Sequence, residues 1–289
     1  MTSSEADDLA VVLGLKSDPV KNVALGQERV RHARFMFELH NKIRVKTEQE
    51  QDRIWSQFCA LYLPATVDRL LDLPVPADAE TPIELEDFIA YNPWHETLVQ
   101  LQHIPYVAKY LRSHSPIAAP GKRLPQILAD RLADVSAPWE AKMTAVPRNE
   151  QLREYYIAAA GSAIQLLCTL CTHFVNETNR NSVISDDTQQ RLFPILSVWS
   201  HRYNRQFLGI VSRRMLGYIS RAPGWEQAFN SVRSSTKNWG VCGLPLCNVR
   251  KDLRVCAKCQ TVRYCDSVHQ RKDWSGVSNH KLSCFKTEY

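Results

Sequence analysis

The sequence has no strong excess of charge, no long uninterrupted apolar run and no recognisable leader. Lys and Arg number 36 and Asp and Glu 30, and the resulting net charge of +6 does not by itself indicate nucleic-acid binding. The first residues, MTSSEADD, are acidic and lack the basic stretch of a signal peptide. The most apolar stretch, 157–171, is interrupted by Ser162 and Gln165 and is too short to cross a bilayer about 30 Å thick. We therefore expect an intracellular protein without a membrane segment, in either nucleus or cytoplasm.

Motifs of the common enzyme classes are missing as well. The sequence contains no glycine-rich phosphate loop and no nucleophile elbow. Alternating β-branched residues, which indicate a large sheet, are nearly absent. An apolar content of 44% and a charged content of 23% are typical of a soluble globular chain. These features predict a mainly α-helical protein that is not an enzyme.

Residues 1–238 are predicted to form a helical domain with irregular or armadillo-like packing. Apolar residues recur at helical spacing in 27–45 and in 48–73, where Pro64 predicts a kink or a break. A Pro-rich connector follows at 73–82. Further helices are predicted at 83–91, 94–113, 123–134, 149–176, 187–203, 205–220 and 224–233, with a loop at 113–121. A helical region of this length can bury a core without metal or disulfides.

Three of the nine cysteines lie in this helical region. Cys168 and Cys171 form a Cys-x-x-Cys sequence, which can be a redox pair or a metal clip. The leucines around them favour the simpler interpretation, two small residues in a buried helix. Cys59 is predicted to be a core residue for the same reason. His95 and His103 have no nearby set of ligands and are predicted to be surface or packing residues.

The other six cysteines crowd into the last 48 residues, where two histidines complete four pairs. The pairs are Cys242 and Cys247, Cys256 and Cys259, Cys265 and His269, and His280 and Cys284. A structural zinc ion takes four thiolate or imidazole ligands in a closed tetrahedron, so eight ligands make two sites. A short segment with few large apolar residues needs metal to fold. The sequence thus predicts a second domain at 239–289 that binds two structural Zn²⁺ ions.

Spacing alone leaves open how the four pairs share the two ions. The pair Cys256 and Cys259 suits a tight knuckle around one metal. The last two pairs are each four residues apart, which places both side chains of a pair on one helix face. A sequential arrangement would join the first pair with the second. A crossed arrangement would join the first with the third and the second with the fourth.

The residues interleaved with these ligands resemble those of the MYND zinc finger, over about residues 242–284. The resemblance is carried by Tyr264, Gln270, Asp273, Trp274 and Lys281 in addition to the eight ligand positions. It implies the crossed arrangement. The two ligand sets would be Cys242, Cys247, Cys265 and His269 on the first zinc, and Cys256, Cys259, His280 and Cys284 on the second.

Three features differ from the usual pattern of this family. The first ligand pair encloses four residues where two are usual, and His269 replaces a cysteine. The interval between Trp274 and His280 is longer than usual by three residues. Histidine is a sound zinc ligand, so these differences affect the local helix geometry more than the ligand set.

MYND fingers are peptide-binding modules, and the peptides often contain proline. The resemblance implies that a hairpin at 255–264 offers backbone hydrogen bonds to a peptide, by strand addition. Tyr264, Gln270 and Trp274 are the implied peptide-binding residues. For Trp274, packing inside the finger is an equally good interpretation.

The favoured function is a non-enzymatic adaptor or regulator that binds protein partners. A nucleic-acid-associated regulator is the alternative: eight basic and three acidic side chains give residues 242–284 a formal +5, reduced to about +3 by six thiolates and two Zn²⁺. No pattern of base-reading residues on a recognition helix supports it. A lysine methyltransferase of the SET/MYND type is a weaker alternative, since no Asn-His-x-Cys-x-Pro-Asn stretch occurs and the finger follows the helices.

Overall fold

The computed structural model describes residues 4–17, 38–72, 93–146, 149–174, 183–223, 227, 240–276 and 279–289. The backbone forms two compact units, each assembled from separate stretches of the chain. The first unit comprises Met1–Arg69, His103–Gly121 and Ser234–Tyr289, and the second comprises Leu70–Gln102 and Lys122–Arg233.

Most of the described residues are helical. The helices are α1 (Glu5–Val12), α2 (Glu48–Leu71), α3 (Pro93–Leu101), α4 (Pro105–Arg112), α5 (Ala119–Thr144), α6 (Glu150–Phe174), α7 (Asp186–Arg202), α8 (Phe207–Ile219), α9 (Ser267–Ser275) and α10 (His280–Ser283), with a 3₁₀ turn at Pro116–Ala118. A two-stranded antiparallel hairpin pairs β1 (Arg254–Val255) with β2 (Arg263–Tyr264). This confirms a mainly α fold with a small C-terminal zinc-binding region.

In the first unit, α1 is held against α2 by polar contacts at its start. Ser4 caps α1, because its hydroxyl accepts a hydrogen bond from the backbone N–H of Asp7. The Tyr62 hydroxyl donates to Asp7 Oδ1 at 2.5 Å, and Arg53 donates to Glu5 Oε2 at 3.2 Å. The core of this unit consists of buried side chains from α1, α2 and α4. They include Leu9, Ile54, Phe58, Leu63, Tyr106 and Tyr110.

In the second unit, α8 packs on both α6 and α7. The largest buried side chains are aromatic: Trp139 of α5, Tyr156 of α6 and Trp199 of α7. The Trp199 indole satisfies its buried N–H by donating to Glu140 Oε2 at 2.7 Å. Ser185 caps the start of α7, as expected for a serine that precedes two aspartates.

Helix α6 is long and apolar enough to cross a membrane, by length and composition, but 72% of its most apolar window is buried inside the protein. From the apolar stretch 157–171, the sequence predicted a segment too short to cross a bilayer. The helix that contains this stretch is longer and spans 25 residues. Cys168 and Cys171 lie on it as core residues, and the Cys168 Sγ lies 3.8 Å from the Met215 sulfur. Burial raises the pKa of Cys168 to about 12, which agrees with a packing role. Cys59 is also fully buried.

The prolines account for most differences between predicted and observed helices. α2 continues through Pro64 without a break. The predicted helix 94–113 is two helices, because Pro105 forces Ile104 into an extended conformation before α4 begins. Pro120 and Gly121, predicted as loop, lie in the first turn of α5, which runs on to Thr144.

Several predictions lie wholly or partly outside the described residues. These are the helix at 83–91, most of the helix at 224–233, and the 27–37 part of the first helix. The domain boundary between 238 and 239 stays a prediction. The compact units do not follow it, since residues 240–289 belong to the same unit as α1, most of α2 and α4.

Candidate metal centres

The hairpin positions the ligands at its turn and at its end. In its register Arg254 lies opposite Tyr264 and Val255 opposite Arg263, and the Cys256 N–H continues the ladder to the Val262 carbonyl at 2.8 Å. The turn therefore presents Cys256 and, three residues on, Cys259 toward the same point. At the other end of β2, Cys265 leads directly into α9.

Helix α9 is oriented by its cap. The Asp266 carboxylate accepts a hydrogen bond from the backbone N–H of His269 at 2.7 Å, which fixes the first turn of the helix. Because His269 lies on that first turn, its ring is directed back toward Cys265, with 3.0 Å between Nδ1 and Sγ. The capping aspartate thus positions a candidate metal ligand.

The structure brings the eight predicted ligands together in two clusters of four. The first consists of Cys242, Cys247, Cys265 and His269, and the second of Cys256, Cys259, His280 and Cys284. Within each cluster the ligand atoms all lie within 4.8 Å of one another. The pairing is the crossed one, since the first ligand pair meets the third and the second meets the fourth.

The interatomic distances suit zinc. Four ligands at the usual Zn–S and Zn–N lengths place two sulfurs about 3.8 Å apart and a sulfur and a nitrogen about 3.6 Å apart. In the first cluster the Cys247–Cys265 and Cys265–Cys242 sulfur distances are 3.9 and 3.7 Å, and Cys242 Sγ lies 3.6 Å from His269 Nδ1. The shape of this cluster is therefore close to a zinc tetrahedron, with the Cys265–His269 edge shorter than the rest.

The second cluster has similar dimensions and is more deeply buried. The Cys256 and Cys284 sulfurs are 3.8 Å apart, and Cys259 Sγ is 3.4 Å from His280 Nε2. All four of its members are buried, whereas in the first cluster only Cys242 is. Each cluster could hold one zinc ion with four protein ligands.

Hydrogen bonds from neighbouring groups stabilise negative charge on a ligand of the second cluster. The Thr261 hydroxyl donates to Cys259 Sγ at 3.2 Å, which favours the thiolate. A hydrogen bond from the Cys284 thiol lowers the pKa of Cys259, and the same contact raises the pKa of Cys284. A metal cation would offset the repulsion between thiolates held this close together.

A family model described as MYND finger matches residues 241–284. Residues 241–284 are a MYND zinc finger. Their two Cys/His clusters give the finger its two zinc sites, as predicted from the sequence. The match covers the finger only; no curated protein and no solved structure shows a significant match to the chain.

The three implied peptide-binding residues of the MYND finger have different environments. Tyr264 is 1% exposed, and its hydroxyl donates to the buried Asp273 Oδ2 at 2.6 Å. Its side chain therefore forms part of the finger's core, and only its backbone lies in the hairpin. Gln270 and Trp274 are partly exposed on α9, and the Trp274 ring packs edge-on against His280 at 5.9 Å.

Sequence reasoning missed the residues that join the MYND finger to helix α4. The Tyr106 hydroxyl accepts from the Phe285 N–H at 2.6 Å and lies 3.0 Å from the carbonyls of Ser283 and Phe285. Lys109 Nζ donates to the carbonyl of the candidate ligand Cys259 at 3.1 Å. No motif marks these contacts, because they join positions more than 140 residues apart.

The segment after the finger, 285–289, contacts the helices of the same unit. The Tyr289 ring lies edge-on to Tyr110 at 5.1 Å, and its hydroxyl donates to the Cys59 carbonyl at 3.0 Å. Lys109 also donates to the Thr287 hydroxyl at 2.5 Å. We call these contacts, together with those of Tyr106 and that of Lys109 with the Cys259 carbonyl, the finger clasp.

Proposed function

We propose that the protein is a non-enzymatic adaptor or regulator whose MYND finger binds short proline-containing peptides of partner proteins inside the cell. The observation that carries the proposal is the MYND finger itself, a zinc-binding protein-interaction domain with two four-ligand clusters. A zinc ion with four protein ligands has no open position for water or substrate. Its expected role is therefore to shape a binding surface.

One edge of the hairpin supports binding by strand addition. In an antiparallel pair, hydrogen-bonded and non-hydrogen-bonded positions alternate. Because the Cys256 N–H bonds to the Val262 carbonyl, the neighbouring pair of Val255 and Arg263 directs its backbone groups outward. The Arg263 carbonyl is taken by the Gly243 N–H at 2.7 Å, so the β2 edge is covered.

The β1 edge is open by the same criteria. Among the described residues no hydrogen bond from outside the hairpin reaches the backbone of Val255, whose side chain is 44% exposed. A peptide strand can pair there through its own backbone, with apolar side chains against Val255. Trp274 and Gln270 on α9 are the side chains proposed to choose the peptide sequence.

The proposal is tested by fluorescence anisotropy with a labelled proline-containing peptide. We expect Val255→Pro to weaken binding at least tenfold, because it removes the outward N–H from an edge position that tolerates proline. Val255→Ala keeps the N–H and is the matched control. Trp274→Ala should also weaken binding, whereas Val268→Ala, at an exposed apolar position of α9, should not. Native mass spectrometry must show two zinc ions in every variant.

Other results would redirect the functional assignment. Equal binding by Val255→Pro and Val255→Ala would reject strand addition at β1. Binding to mixed-sequence DNA with a steep salt dependence would favour the nucleic-acid alternative. Transfer of a labelled methyl group to protein substrate would contradict the non-enzymatic proposal.

A further inference from the structure

The second unit contains a cavity where four helices begin or end. It has a volume of about 380 Å³ and lies at the last turns of α5 and α7, the first turns of α6 and the turn before α8. The cavity is lined by Met143, Thr144, Arg153, Arg202, Tyr203 and Gln206. Two guanidinium groups, a phenol and an amide therefore converge on one space that no sequence motif marks.

Two polar side-chain atoms at this cavity are buried and have no hydrogen-bond partner in the described part of the chain. They are the Tyr203 hydroxyl and the Gln206 Oε1. Tyr203 is only 3% exposed. A buried hydroxyl without a partner costs about 1–3 kcal/mol, and the cavity gives a hydrogen-bonding group access to this one.

The turn that carries Tyr203 and Gln206 is fixed by backbone contacts. The Gln206 N–H donates to the Tyr203 carbonyl at 2.8 Å. Gly209 allows this carbonyl to approach α8, since a Cβ at position 209 would lie 2.1 Å from the carbonyl oxygen. Gln206 is the N-cap residue of α8, and its side chain does not cap the helix. The positive end of the α8 dipole thus lies beside the cavity without an anionic cap.

Each of the two arginines has N–H donors that its described contacts do not use. Arg153 uses Nη1 for both Glu150 and Glu154, and Arg202 uses Nη1 for Glu140. Each guanidinium has five N–H donors, so Nη2 and Nε are not engaged in these ion pairs. Burial raises the pKa of Tyr203; the positive charges of Arg202 and Arg153 act against this shift, and the negative charge of Glu154 adds to it.

We propose that this cavity is a binding site for a small oxyanion, a phosphate or carboxylate group carried by a ligand. The Tyr203 hydroxyl and the unused guanidinium N–H groups donate to its oxygens. The Gln206 amide donates to the ion when it is rotated by 180°, which exchanges its oxygen and nitrogen. Glu140, Glu150 and Glu154 carry three negative charges against the two positive charges of the arginines, so net charge does not attract the anion and binding depends on the hydrogen bonds. The affinity for a free ion should therefore be low, about millimolar.

The test is isothermal titration of the full-length protein with inorganic phosphate, sulfate and acetate at constant ionic strength held by chloride. We expect saturable binding of one ion per chain. Tyr203→Phe keeps the ring and removes the hydroxyl, and should weaken affinity about 5- to 10-fold. Arg153→Gln should weaken it at least tenfold. Arg191→Gln is the matched control, because Arg191 is paired with Asp134 in the same unit and does not line the cavity.

Each outcome bears on the proposal. Preference for phosphate and sulfate over acetate supports a phosphate-bearing ligand, and the reverse supports a carboxylate. Absence of saturable binding, equal loss in Arg153→Gln and Arg191→Gln, or unchanged affinity in Tyr203→Phe would overturn it. Circular dichroism identifies variants that fail to fold, and Gln206→Met, expected to weaken binding about fivefold, then serves in place of Tyr203→Phe.

Discussion

Removal of zinc should disturb more of the chain than the finger itself. The finger clasp contributes about five hydrogen bonds between residues 259–289 and the helices of the first unit: one donated and one accepted by Tyr106, two from Lys109 and one from Tyr289. At about 1 kcal/mol each these bonds contribute on the order of 5 kcal/mol. That is comparable with the whole stability of an ordinary domain.

The clasp depends on zinc because Cys259 and Cys284 belong to the buried cluster. When these ligands lose their ion, the finger loses the main source of its folding free energy, roughly 10–16 kcal/mol per site in isolated fingers. The carbonyl of Cys259 and the 283–289 segment then leave Lys109 and Tyr106. We therefore expect chelation to destabilise α4 and the neighbouring part of α2 together with the finger.

Hydrogen exchange measured by mass spectrometry, with and without a strong zinc chelator, resolves this segment by segment. Peptides from α4 should lose protection at the same chelator concentration as peptides from 254–284. Peptides from α6 and α8, whose described contacts lie in the second unit, should keep theirs. If α4 stays protected while the finger exchanges freely, the clasp is energetically unimportant, and the predicted boundary between 238 and 239 is the physical one.

Further predictions concern single sites. The first cluster is partly exposed and the second is buried, so a limiting amount of chelator or oxidant should give a species with one zinc ion in native mass spectrometry. If the two sites are coupled, Cys265→Ser should make the second site more sensitive to chelation than it is in the wild type. If they are independent, it should not. Tyr264→Phe should destabilise zinc-bound protein by about 1–3 kcal/mol in urea, because it removes one hydrogen bond donated to the buried Asp273 carboxylate. Burial raises the pKa of Cys168 and Cys171, so both should resist iodoacetamide in the native protein and react once it is unfolded.

The candidate metal centres were largely predictable from the sequence, and the reason is chemical. Zinc ligands belong to few residue types and occur at regular separations in the sequence. Since each ion takes four of them, the eight cysteines and histidines of this region identify themselves as the ligands of two ions. Which ligand pairs share an ion could not be predicted from spacing, which permitted both a sequential and a crossed arrangement. Only the MYND resemblance favoured the crossed one. The burial of Tyr264 could not be predicted from spacing either, since it depends on how α9 packs and brings Asp273 to the hydroxyl.

For the helical part of the chain, the sequence predicted the type of secondary structure well and the ends of the individual helices less well. Amphipathic spacing located α6, α7 and α8 within about two residues of their observed ends. The prolines led to two opposite errors in the predicted helices, a break that does not occur and a break that was not predicted, because the effect of proline depends on its position. At Pro105 it starts a new helix, whereas Pro64 is accommodated inside α2. Local sequence does not distinguish the two cases, since the difference lies in what the flanking turns pack against.

The crossed pairing also explains why the MYND finger can be joined to distant helices without a larger core of its own. Each zinc connects an early ligand pair to a late one, so the chain from 242 to 284 is closed into two overlapping loops. Closing loops through a metal restricts the unfolded chain in the same manner as a disulfide. The second loop ends at Cys284, one residue before the Phe285 N–H that donates to Tyr106. The buried zinc therefore fixes the position from which the clasp begins, and loss of that ion should weaken the clasp more than loss of the other.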